Sequence, residues 1–359
     1  MEGNCTIFEE VEKMGHEQVV YCYDEPTGLK AIIGIHNTVL GPGLGGTRMW
    51  NYSSESEAVK DVLRLSRGMT FKNAISGLNA GGGKAVIIGN ASTMKSEPFM
   101  RRFGRFIDSL GGKYVTAEDV NMTTREMEYI SMETDHVTGL PETMGGGGDP
   151  SPVTAYGVFV GMKAAMKKVY GSESFKDKKI LVQGIGQVGV NLVALLAKEG
   201  AKILISDLDQ DKLVKVSNEF QVEVIDQNEI FHQQVDVYAP CALGAVLNND
   251  SIPLLKCHII AGGANNQLEN ELEHGKMLQQ RGIVYAPDFL INAGGVMNVY
   301  AEHLGGYNRQ NVYRLAEGIY DTLLQVLNKA EAKQITPHEA ALKVAMKRIS
   351  DIGKVHMSY

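Results

Sequence analysis

The chain of 359 residues carries a formal net charge of −7, with 44% hydrophobic and 21% charged residues. These values are typical of a globular protein, and the length favours two domains over a single core. Because a nucleic-acid surface needs clustered Lys and Arg, a net negative chain argues against that class and favours a small-molecule ligand.

Four cysteines, Cys5, Cys22, Cys241 and Cys257, are scattered without a C-x-x-C pair. Disulfide frameworks and structural zinc sites need close, repeated spacing, so we expect small buried thiols in a reducing compartment and no metal. The N-terminus lacks the pattern of a signal peptide, and no apolar run approaches the roughly 18 residues of a membrane span. The sequence predicts a cytoplasmic protein without membrane contact.

In the first part of the chain, β-branched runs at 29–36 and 85–88 predict strands. Ser54, with Glu57 three residues later, predicts a capping box that opens a helix extending to about Lys72. One stripe at spacings of four and three follows this helix: Ala58, Val62, Leu65, Met69 and Lys72. Lys72 then either points inward beside an anion such as a substrate carboxylate, or extends into solvent at the helix end.

The segment Asn79-Ala-Gly-Gly-Gly-Lys84-Ala differs from a phosphate-binding P-loop, because Leu78 and Ala85 replace the required glycine and hydroxyl residue. We expect the glycines to give a substrate room while the segment presents the Lys84 amine. A lysine in a partly apolar cleft loses its proton more easily than in water, which suits a general base. The alternative is a surface turn.

A predicted strand from residue 113 ends in Glu118 and Asp119, which point in opposite directions if the backbone is extended. One of the two carboxylates can therefore face a cleft, although acids at strand ends are usually solvated.

The segment 144–152 contains four glycines, which make the backbone flexible, followed by two prolines, which make it stiff. This composition predicts a hinge between domains.

The second part alternates β-branched runs with helical patterns, and the runs lie at 179–183, 202–206, 222–225, 235–239 and 258–261. This alternation predicts a parallel, doubly wound sheet with helices on both faces. Near the end of the chain, Thr336 as a cap, Pro337 at the first helical position and Glu339 completing a capping box predict a final helix.

Gly184, Gly186 and Gly189 form a G-x-G-x-x-G pattern between a predicted strand and a predicted helix. Such glycines allow a tight turn, close approach of a pyrophosphate and close packing of helix on strand, and the helix N-terminus attracts the phosphates. Asp207 ends the next strand, where a carboxylate would bind ribose hydroxyls and repel a 2′-phosphate. The pattern predicts NAD; the alternative is glycines that only shape a turn and an Asp207 that caps a helix.

Six segments taken together resemble the glutamate/leucine/phenylalanine/valine dehydrogenase family. They are LGGTRM at 44–49, MTFK at 69–72, GGGK at 81–84, TAED at 116–119, PSPVTAYG at 150–157 and INAGGV at 291–296. The likeness follows the family's order through nearly the whole chain and is strongest to the members that act on leucine. It implies NAD-dependent, reversible oxidative deamination of leucine, valine and isoleucine to 2-oxo acids with release of ammonium.

The resemblance implies that Lys84 and Asp119 are catalytic, Lys84 activating the water that attacks an imine and Asp119 shuttling protons to and from the amine. It also implies that Lys72 binds the substrate α-carboxylate. Further implied substrate contacts are Met69, Gly45, Asn265 and a side-chain pocket of Leu44, Ala117, Val296 and Val299. Implied NAD contacts besides the three glycines and Asp207 are Gln187, Val188, Thr154, Ala239, Cys241, Ala242 and Asn265.

The implied fold has two α/β domains. A Rossmann-type NAD-binding domain would occupy 148–334, and a substrate-binding and oligomerisation domain 1–147 plus 335–359, with a cleft between them that closes for hydride transfer. Family members are homo-oligomers, so we expect one here.

The chain departs from the family at Asp149, where Asn is common, at Ala80, where Leu is frequent, and at Tyr300-Ala-Glu-His303, which replaces an Ala-Asp-Glu segment. The last departure adjoins the expected side-chain pocket and keeps phenylalanine open as a substrate. Members that act on glutamate carry Lys and Ser where this chain has Leu44 and Val299. A non-catalytic NAD-binding sensor is disfavoured because Lys84 and Asp119 are present.

Overall fold

The computed structural model describes residues 6–356, so the expectation for Cys5 lies outside the described residues. The chain forms two compact units. Unit 1 contains 6–148, 298–309 and 345–356, and unit 2 contains 149–297 and 310–344.

These units differ from the predicted domains by one residue at Gly148, which belongs to unit 1, and more widely at two stretches, 298–309 in unit 1 and 335–344 in unit 2. In both places the change of unit falls inside a continuous helix, at Gly294–His303 and Pro337–His356. Because the helical periodicity of the sequence continues across each of these domain boundaries, the local sequence gives no signal of the boundary. The functions expected of the two domains stay predictions.

Unit 1 is built on a mixed six-stranded sheet. Its strands are β1 (Gln18–Asp24), β2 (Leu29–Asn37), β3 (Gly43–Leu44), β4 (Thr47–Trp50), β5 (Gly81–Ile88) and β6 (Tyr114–Val115). The order is β1-β2-β5-β3-β6, with β4 also pairing with β5. β1, β2 and β5 are antiparallel, whereas β3 and β4 run parallel to β5. The predicted strand at 29–36 is confirmed, while β1 and β4 were not predicted.

The helices of the first part of the chain are α1 (Ile7–Met14), α2 (Glu55–Ile75), α3 (Ala91–Met94), α4 (Glu97–Asp108) and α5 (Thr124–Ser131). They cover both faces of the sheet. On one face, Ile33 and Ile35 of β2 pack with Phe99 and Phe103 of α4. On the other face, Ile32 and Val86 pack with Val62 and Leu63 of α2. Since both faces of β2 are covered, its sequence is a nearly continuous apolar run rather than an alternating one.

The start of α2 is confirmed, because the Ser54 side chain accepts a hydrogen bond from the Glu57 amide. The second half of the predicted capping box was wrong. The Glu57 carboxylate accepts from the amide and hydroxyl of Ser53 instead of the Ser54 amide. Ser53 offers the Glu57 carboxylate two donors, its amide and its hydroxyl, whereas the predicted box used only the Ser54 amide. At Thr336 and Glu339 the predicted box is present in full.

Unit 2 contains a six-stranded, fully parallel sheet. Its strands are β7 (Lys179–Gln183), β8 (Lys202–Ser206), β9 (Glu223–Val224), β10 (Val237–Pro240), β11 (Ile259–Ile260) and β12 (Val284–Tyr285). The order β12-β11-β10-β7-β8-β9 is that of a Rossmann fold. The remaining helices are α6 (Ser151–Tyr170), α7 (Gln187–Lys198), α8 (Gln210–Phe220), α9 (Glu271–Gln280), α10 (Asp288–Ile291), α11 (Gly294–His303), α12 (Arg309–Glu317), α13 (Ile319–Lys333) and α14 (Pro337–His356). The predicted parallel sheet is confirmed.

Cys22, Cys241 and Cys257 are free thiols, and burial raises the pKa of both Cys22 and Cys257 to about 12. None of the helices within residues 6–356 is long and apolar enough to cross a bilayer. The cytoplasmic location stays a prediction of the sequence.

Two buried histidines join the first helix and sheet of unit 1 to α2. His16 Nε2 lies 2.8 Å from the Ser66 hydroxyl, and His36 Nδ1 lies 2.8 Å from the Thr70 hydroxyl. The two rings meet edge to face at 4.8 Å. Burial, and then the neighbouring His36, lower the pKa of His16 to about 4. A protonated imidazole at this place is therefore strongly disfavoured in the folded state.

This depressed pKa predicts acid sensitivity of unit 1. Between pH 6.5, the ordinary value, and about 4, the unfolded chain binds a proton at His16 that the folded chain does not. Stability is therefore lost as pH falls through this window, by roughly 2–3 kcal/mol for His16. Urea titrations from pH 7.5 to 4.5 give the free energy of unfolding as a function of pH. His16→Gln should reduce the slope of this dependence, while His232→Gln, at an exposed histidine, should leave the slope unchanged. An unaltered slope in His16→Gln would contradict this assignment.

Candidate active site

The three glycines before Lys84 form the first residues of β5, rather than a turn or a substrate-facing loop. A Cβ atom on Gly82 would lie 2.0 Å from the Thr70 hydroxyl, and one on Gly83 would lie 2.7 Å from the Gly43 carbonyl oxygen. The expectation that these glycines leave room for a substrate was wrong. They let β5 pass close to α2 and β3, and the packing that this allows fixes the backbone that carries Lys84.

Lys84 and Asp119 meet in a buried ion pair. The Lys84 Nζ lies 2.7 Å from Asp119 Oδ2, and the Lys84 side chain is only 9% exposed. Asp119 follows β6 and Lys84 lies on β5, and both strands pair with β3. Glu118 is exposed and its carboxylate accepts a hydrogen bond from the Thr124 hydroxyl. The two adjacent acids therefore have different surroundings, as the sequence predicted, and Asp119 is the one that faces the lysine.

Sequence reasoning did not single out Arg48, which completes the cluster. Its Nε donates to Asp119 Oδ2 at 3.0 Å, and its Nη1 donates to Asp61 Oδ2 at 3.1 Å. Asp61 also accepts hydrogen bonds from Tyr52 and Arg64. No sequence signal pointed to this role, because a charged residue between Thr47 and Met49 has the alternating pattern of a strand with one solvated face. The contacts of Arg48 became apparent only in the structure.

The charges around Asp119 determine its protonation. Burial alone raises its pKa, but the positive charges of Lys84 and then Arg48 outweigh this effect and lower the pKa to about 2. Asp119 is therefore an ionised carboxylate at neutral pH. It is the anion that compensates the buried ammonium of Lys84.

The other predicted substrate residues of unit 1 lie around the same strands. Leu44 is fully buried on β3, and the Ala117 carbonyl accepts from the Thr47 amide. A Cβ atom on Gly45 would lie 3.0 Å from Met69 Cγ and 2.0 Å from the Gly83 carbonyl oxygen. Leu44, Gly45 and Met69 are therefore close to the strand of Lys84.

Lys72 is half-buried near the C-terminal end of α2, as is Met69 three residues earlier. The predicted stripe is correct at Ala58 and Val62, which are fully buried. Leu65, Met69 and Lys72 are only half-buried and lie at the edge of the buried face of α2. A spacing of 3.5 residues drifts by about 20° every seven residues on a helix of 3.6 residues per turn. Over the length of α2 this drift moves Lys72 to the edge of the buried face. Its position is therefore intermediate between pointing inward and extending into solvent, the two alternatives that the sequence left open.

The remaining predicted pocket residues, Val296 and Val299, lie on α11. Val296 is buried and belongs to unit 2, whereas Val299 is half-buried and belongs to unit 1. In the segment where the chain departs from the family, Glu302 accepts hydrogen bonds from the amides of Leu140 and Gly147. This carboxylate therefore holds both ends of the segment that leads into the glycine run.

The glycine pattern of unit 2 forms the turn between β7 and α7. Gly184 has a φ of +95°, and a Cβ atom there would lie 2.7 Å from the Ala242 amide nitrogen. One on Gly189 would lie 2.0 Å from the Gly184 carbonyl oxygen, so only glycine lets helix and strand pack this closely. In contrast, a Cβ atom on Gly186, the N-cap of α7, would meet nothing within 4 Å.

Asp207 lies at the end of β8 beside this turn. Its Oδ2 accepts from the Ile185 amide at 2.5 Å, and its Oδ1 accepts from the Asp209 amide at 2.9 Å. The helix cap of α8 is Asp209, so the alternative that Asp207 caps this helix does not hold. The open N-terminus of α7, which no side chain caps, has the features of a pyrophosphate site. The residues present therefore fit a dinucleotide.

The other predicted cofactor residues are also in unit 2. Gln187 and Val188 form the first turn of α7, and Ala239 is buried on β10. The Cys241 amide donates to the Gln183 carbonyl at the end of β7, which brings Cys241 and Ala242 beside the turn. Asn265 Oδ1 accepts from the Asn292 side chain at 2.7 Å. The Thr154 hydroxyl donates to the Pro150 carbonyl.

Across residues 6–356, no group of three or more His, Cys, Asp or Glu side chains could hold a metal ion.

Two models of one protein family match most of the chain. The model described as "Glu/Leu/Phe/Val dehydrogenase, dimerisation domain" matches residues 16–136. The model described as "Glutamate/Leucine/Phenylalanine/Valine dehydrogenase" matches residues 145–356. The chain belongs to the glutamate/leucine/phenylalanine/valine dehydrogenase family. The family inferred from the six sequence segments is thereby confirmed.

Relatives within this dehydrogenase family match almost end to end. Leucine dehydrogenase from Thermoactinomyces intermedius is 50% identical, over 98% of this chain and 96% of the relative. Leucine dehydrogenase from Bacillus cereus is 49% identical over the same shares. The crystal structure of L-tryptophan dehydrogenase from Nostoc punctiforme matches with a TM-score of 0.87 and 44% identity, over 97% of this chain and 99% of that chain.

Proposed function

We propose that the chain catalyses the NAD-dependent, reversible oxidative deamination of branched-chain L-amino acids. The reaction converts the L-amino acid, NAD⁺ and water into the 2-oxo acid, ammonium, NADH and a proton. The observation that carries the proposal is the buried Lys84–Asp119 pair in a chain that is 50% identical to a leucine dehydrogenase over nearly its full length. This pair combines an amine and a carboxylate in direct contact, as proton transfer at a substrate amine requires.

Lys84 and Asp119 would share the proton transfers. Asp119 Oδ2 already accepts from Lys84 and Arg48, so the proposal assigns Oδ1 to the substrate ammonium. A carboxylate with a pKa of about 2 orients an ammonium and passes its proton on rather than storing it. The 2.7 Å contact keeps Lys84 beside the carboxylate that would bind the ammonium, so a neutral Lys84 would be the final acceptor of that proton and would release it to solvent. Neutral again after that release, Lys84 would take a proton from the water that attacks the imine.

Lys72 would bind the α-carboxylate of the substrate. Its position at the margin of the buried face of α2 keeps its stem packed while its ammonium can reach a ligand. The C-terminal end of α2 is itself held in place, because Arg348 donates to the carbonyls of Ala74, Gly77 and Leu78.

NAD⁺, when bound, supplies the acceptor for the hydride that leaves Cα. The proposal assigns its pyrophosphate to the open N-terminus of α7 at Gly186 and its ribose hydroxyls to Asp207. The Asp207 carboxylate disfavours a 2′-phosphate by repulsion, which supports NAD over NADP.

An aliphatic side chain fits the apolar character of Leu44 and Ala117, which are both buried beside the Lys84 strand. A distal carboxylate would be buried there unpaired, at a cost of several kcal/mol. A second candidate class is aromatic amino acids. It is favoured by one specific observation, the 46% identity to L-tryptophan dehydrogenase from Nostoc punctiforme.

We also propose a homo-oligomer assembled through the first part of the chain. The family model that matches residues 16–136 is described as a dimerisation domain. Among the described strands, β1 pairs only with β2, which leaves one edge available, and it exposes the aromatic residues Tyr21 and Tyr23. Exposed aromatics on an open strand edge are typical of a contact surface.

Variants of the ion pair test the catalytic roles. Lys84→Ala and Asp119→Asn should each lower kcat for leucine by about a hundredfold or more, since each removes a proton-transferring group. NADH affinity, measured by fluorescence titration, should change less than about threefold because both residues lie outside the nucleotide unit. Lys30→Ala, at an exposed lysine on the neighbouring β2, is the matched control. Near-normal turnover in Lys84→Ala would refute the mechanism.

Asp207→Ser tests the cofactor assignment. The substitution removes the repulsion of a 2′-phosphate and also two hydrogen bonds to the backbone of the turn. Loss of the backbone bonds should weaken NAD and NADP alike, so the informative quantity is the ratio of their kcat/KM values. This ratio should fall by about tenfold or more. A wild-type enzyme that uses both cofactors equally well would exclude Asp207 as the discriminator.

A substrate series tests the pocket. We expect leucine, valine and isoleucine to overlap in kcat/KM, because one methylene is worth about 1–3 kcal/mol at most. Glutamate should be poorer than leucine by about a thousandfold, since its carboxylate would be buried without a partner. The measurement is NADH formation with leucine, valine, isoleucine, phenylalanine, tryptophan and glutamate. An aromatic substrate at the head of the series would replace the branched-chain assignment with the second candidate.

A further inference from the structure

Arg48 joins two carboxylates that lie on different elements of unit 1. On β4 it is the register partner of Val86 on the parallel strand β5. Since side chains two residues apart on a strand share a face, Arg48 and Lys84 lie on the same face of the sheet. That face packs against α2, which carries Asp61. The guanidinium therefore lies where it can reach both Asp119, after β6, and Asp61, on α2.

The Arg48 contacts are directional and partly shielded from solvent. Its side chain is 23% exposed, and those of Asp119 and Asp61 are 22% and 15% exposed. The planar guanidinium donates through Nε to one carboxylate and through Nη1 to the other, which a lysine ammonium cannot do with one fixed geometry. Tyr52 donates to the same oxygen of Asp61 as Arg48 does, and Arg64 donates to the other oxygen. Arg48 is thus held in place at one end and binds Asp119 at the other.

We propose that Arg48 is a positioning residue for the deamination reaction: it holds Oδ2 of Asp119 beside Lys84 and leaves Oδ1 directed to the substrate ammonium, with Asp61 fixing Arg48. This inference rests on the proposed function, since it assigns a role toward the same substrate amine. In the absence of Arg48, Lys84 would be the only cation in contact with Asp119 Oδ2. The carboxylate could then rotate about its χ2 angle and bind Lys84 through either oxygen.

The charge of Arg48 supports the same role. Burial raises the pKa of Asp119, and the charges of Lys84 and Arg48 together lower it to about 2. With two cations on one carboxylate oxygen, Lys84 is not the only group that compensates Asp119. Arg48 would therefore still compensate the Asp119 carboxylate after Lys84 loses a proton, which the proposed mechanism requires. Positioning and charge compensation both act on kcat rather than on binding of the α-carboxylate by Lys72.

The test uses the full chain, with leucine and NAD⁺, and separates kcat from KM. Arg48→Gln should lower kcat by about ten- to a hundredfold, with KM for leucine and NAD⁺ changed less than about threefold. Arg48→Lys should recover part of kcat, because the charge returns without the double contact. Asp61→Asn should give a smaller loss, since Arg48 keeps its bond to Asp119. Arg101→Gln, at an arginine paired with Glu97 and Glu133 on the surface of unit 1, is the matched control.

A double-mutant cycle distinguishes positioning from a purely structural role. If Arg48 acts through Asp119, adding Arg48→Gln to Asp119→Asn should lower the residual kcat by less than about twofold. Losses that multiply in the double variant would overturn the proposal, as would a wild-type kcat in Arg48→Gln. Thermal melts identify any variant that fails to fold. If Arg48→Gln fails to fold, the kcat values of Arg48→Lys and Asp61→Asn provide the test. Wild-type kcat in both of these variants would overturn the proposal. A wild-type enzyme without leucine oxidation would refute the proposed function instead, before any variant is compared.

Discussion

Burial of the Lys84 ammonium is the constraint on which unit 1 depends. An ammonium taken out of water without an anion costs several kcal/mol, so β5 can carry this lysine inside the fold only if a carboxylate meets it. Asp119 supplies this carboxylate at 2.7 Å, and Arg48 binds the same oxygen. The result is a cluster in which each charge is compensated, and whose geometry is fixed by three different strands and α2. A buried, compensated charge cluster of this kind is expensive to build and is typical of a functional site.

Close packing of backbone on backbone places the chemical groups in both units. In unit 1, Gly82 allows β5 to pass against α2, which holds Lys84 at a defined depth. In unit 2, Gly189 allows α7 to pack on the turn at Gly184, which presents the helix N-terminus at a defined place. A single methyl group at either glycine would overlap a neighbouring atom. These two glycines therefore contribute through packing, whereas Gly186, of the three glycines in the G-x-G-x-x-G pattern, is the one that faces open space.

In the proposed function, the apolar pocket and the charged cluster would have different roles in substrate recognition. Lys72, Lys84 and Asp119 are suited to the carboxylate and amine that every α-amino acid carries, so they cannot distinguish one substrate from another. In the proposed reaction, discrimination would come from the side-chain pocket predicted around Leu44 and Ala117, which are apolar and buried. Such a pocket rejects a charged side chain strongly and an extra methylene weakly.

The sequence by itself determined what depends on neighbouring residues. The strands Lys179–Gln183 and Lys202–Ser206, the glycine turn between β7 and α7, and the Thr336 cap all follow from local spacing, and the structure has them as predicted. The order of family segments likewise identified the family. Tertiary structure decided what depends on distance in space. Arg48 and Asp119 are 71 positions apart, and their contact exists because the segment after β6 runs beside β4, where the amides of Thr47 and Met49 donate to the carbonyls of Ala117 and Val120. Pairing between strands and segments far apart in the chain leaves no trace in any short stretch of sequence.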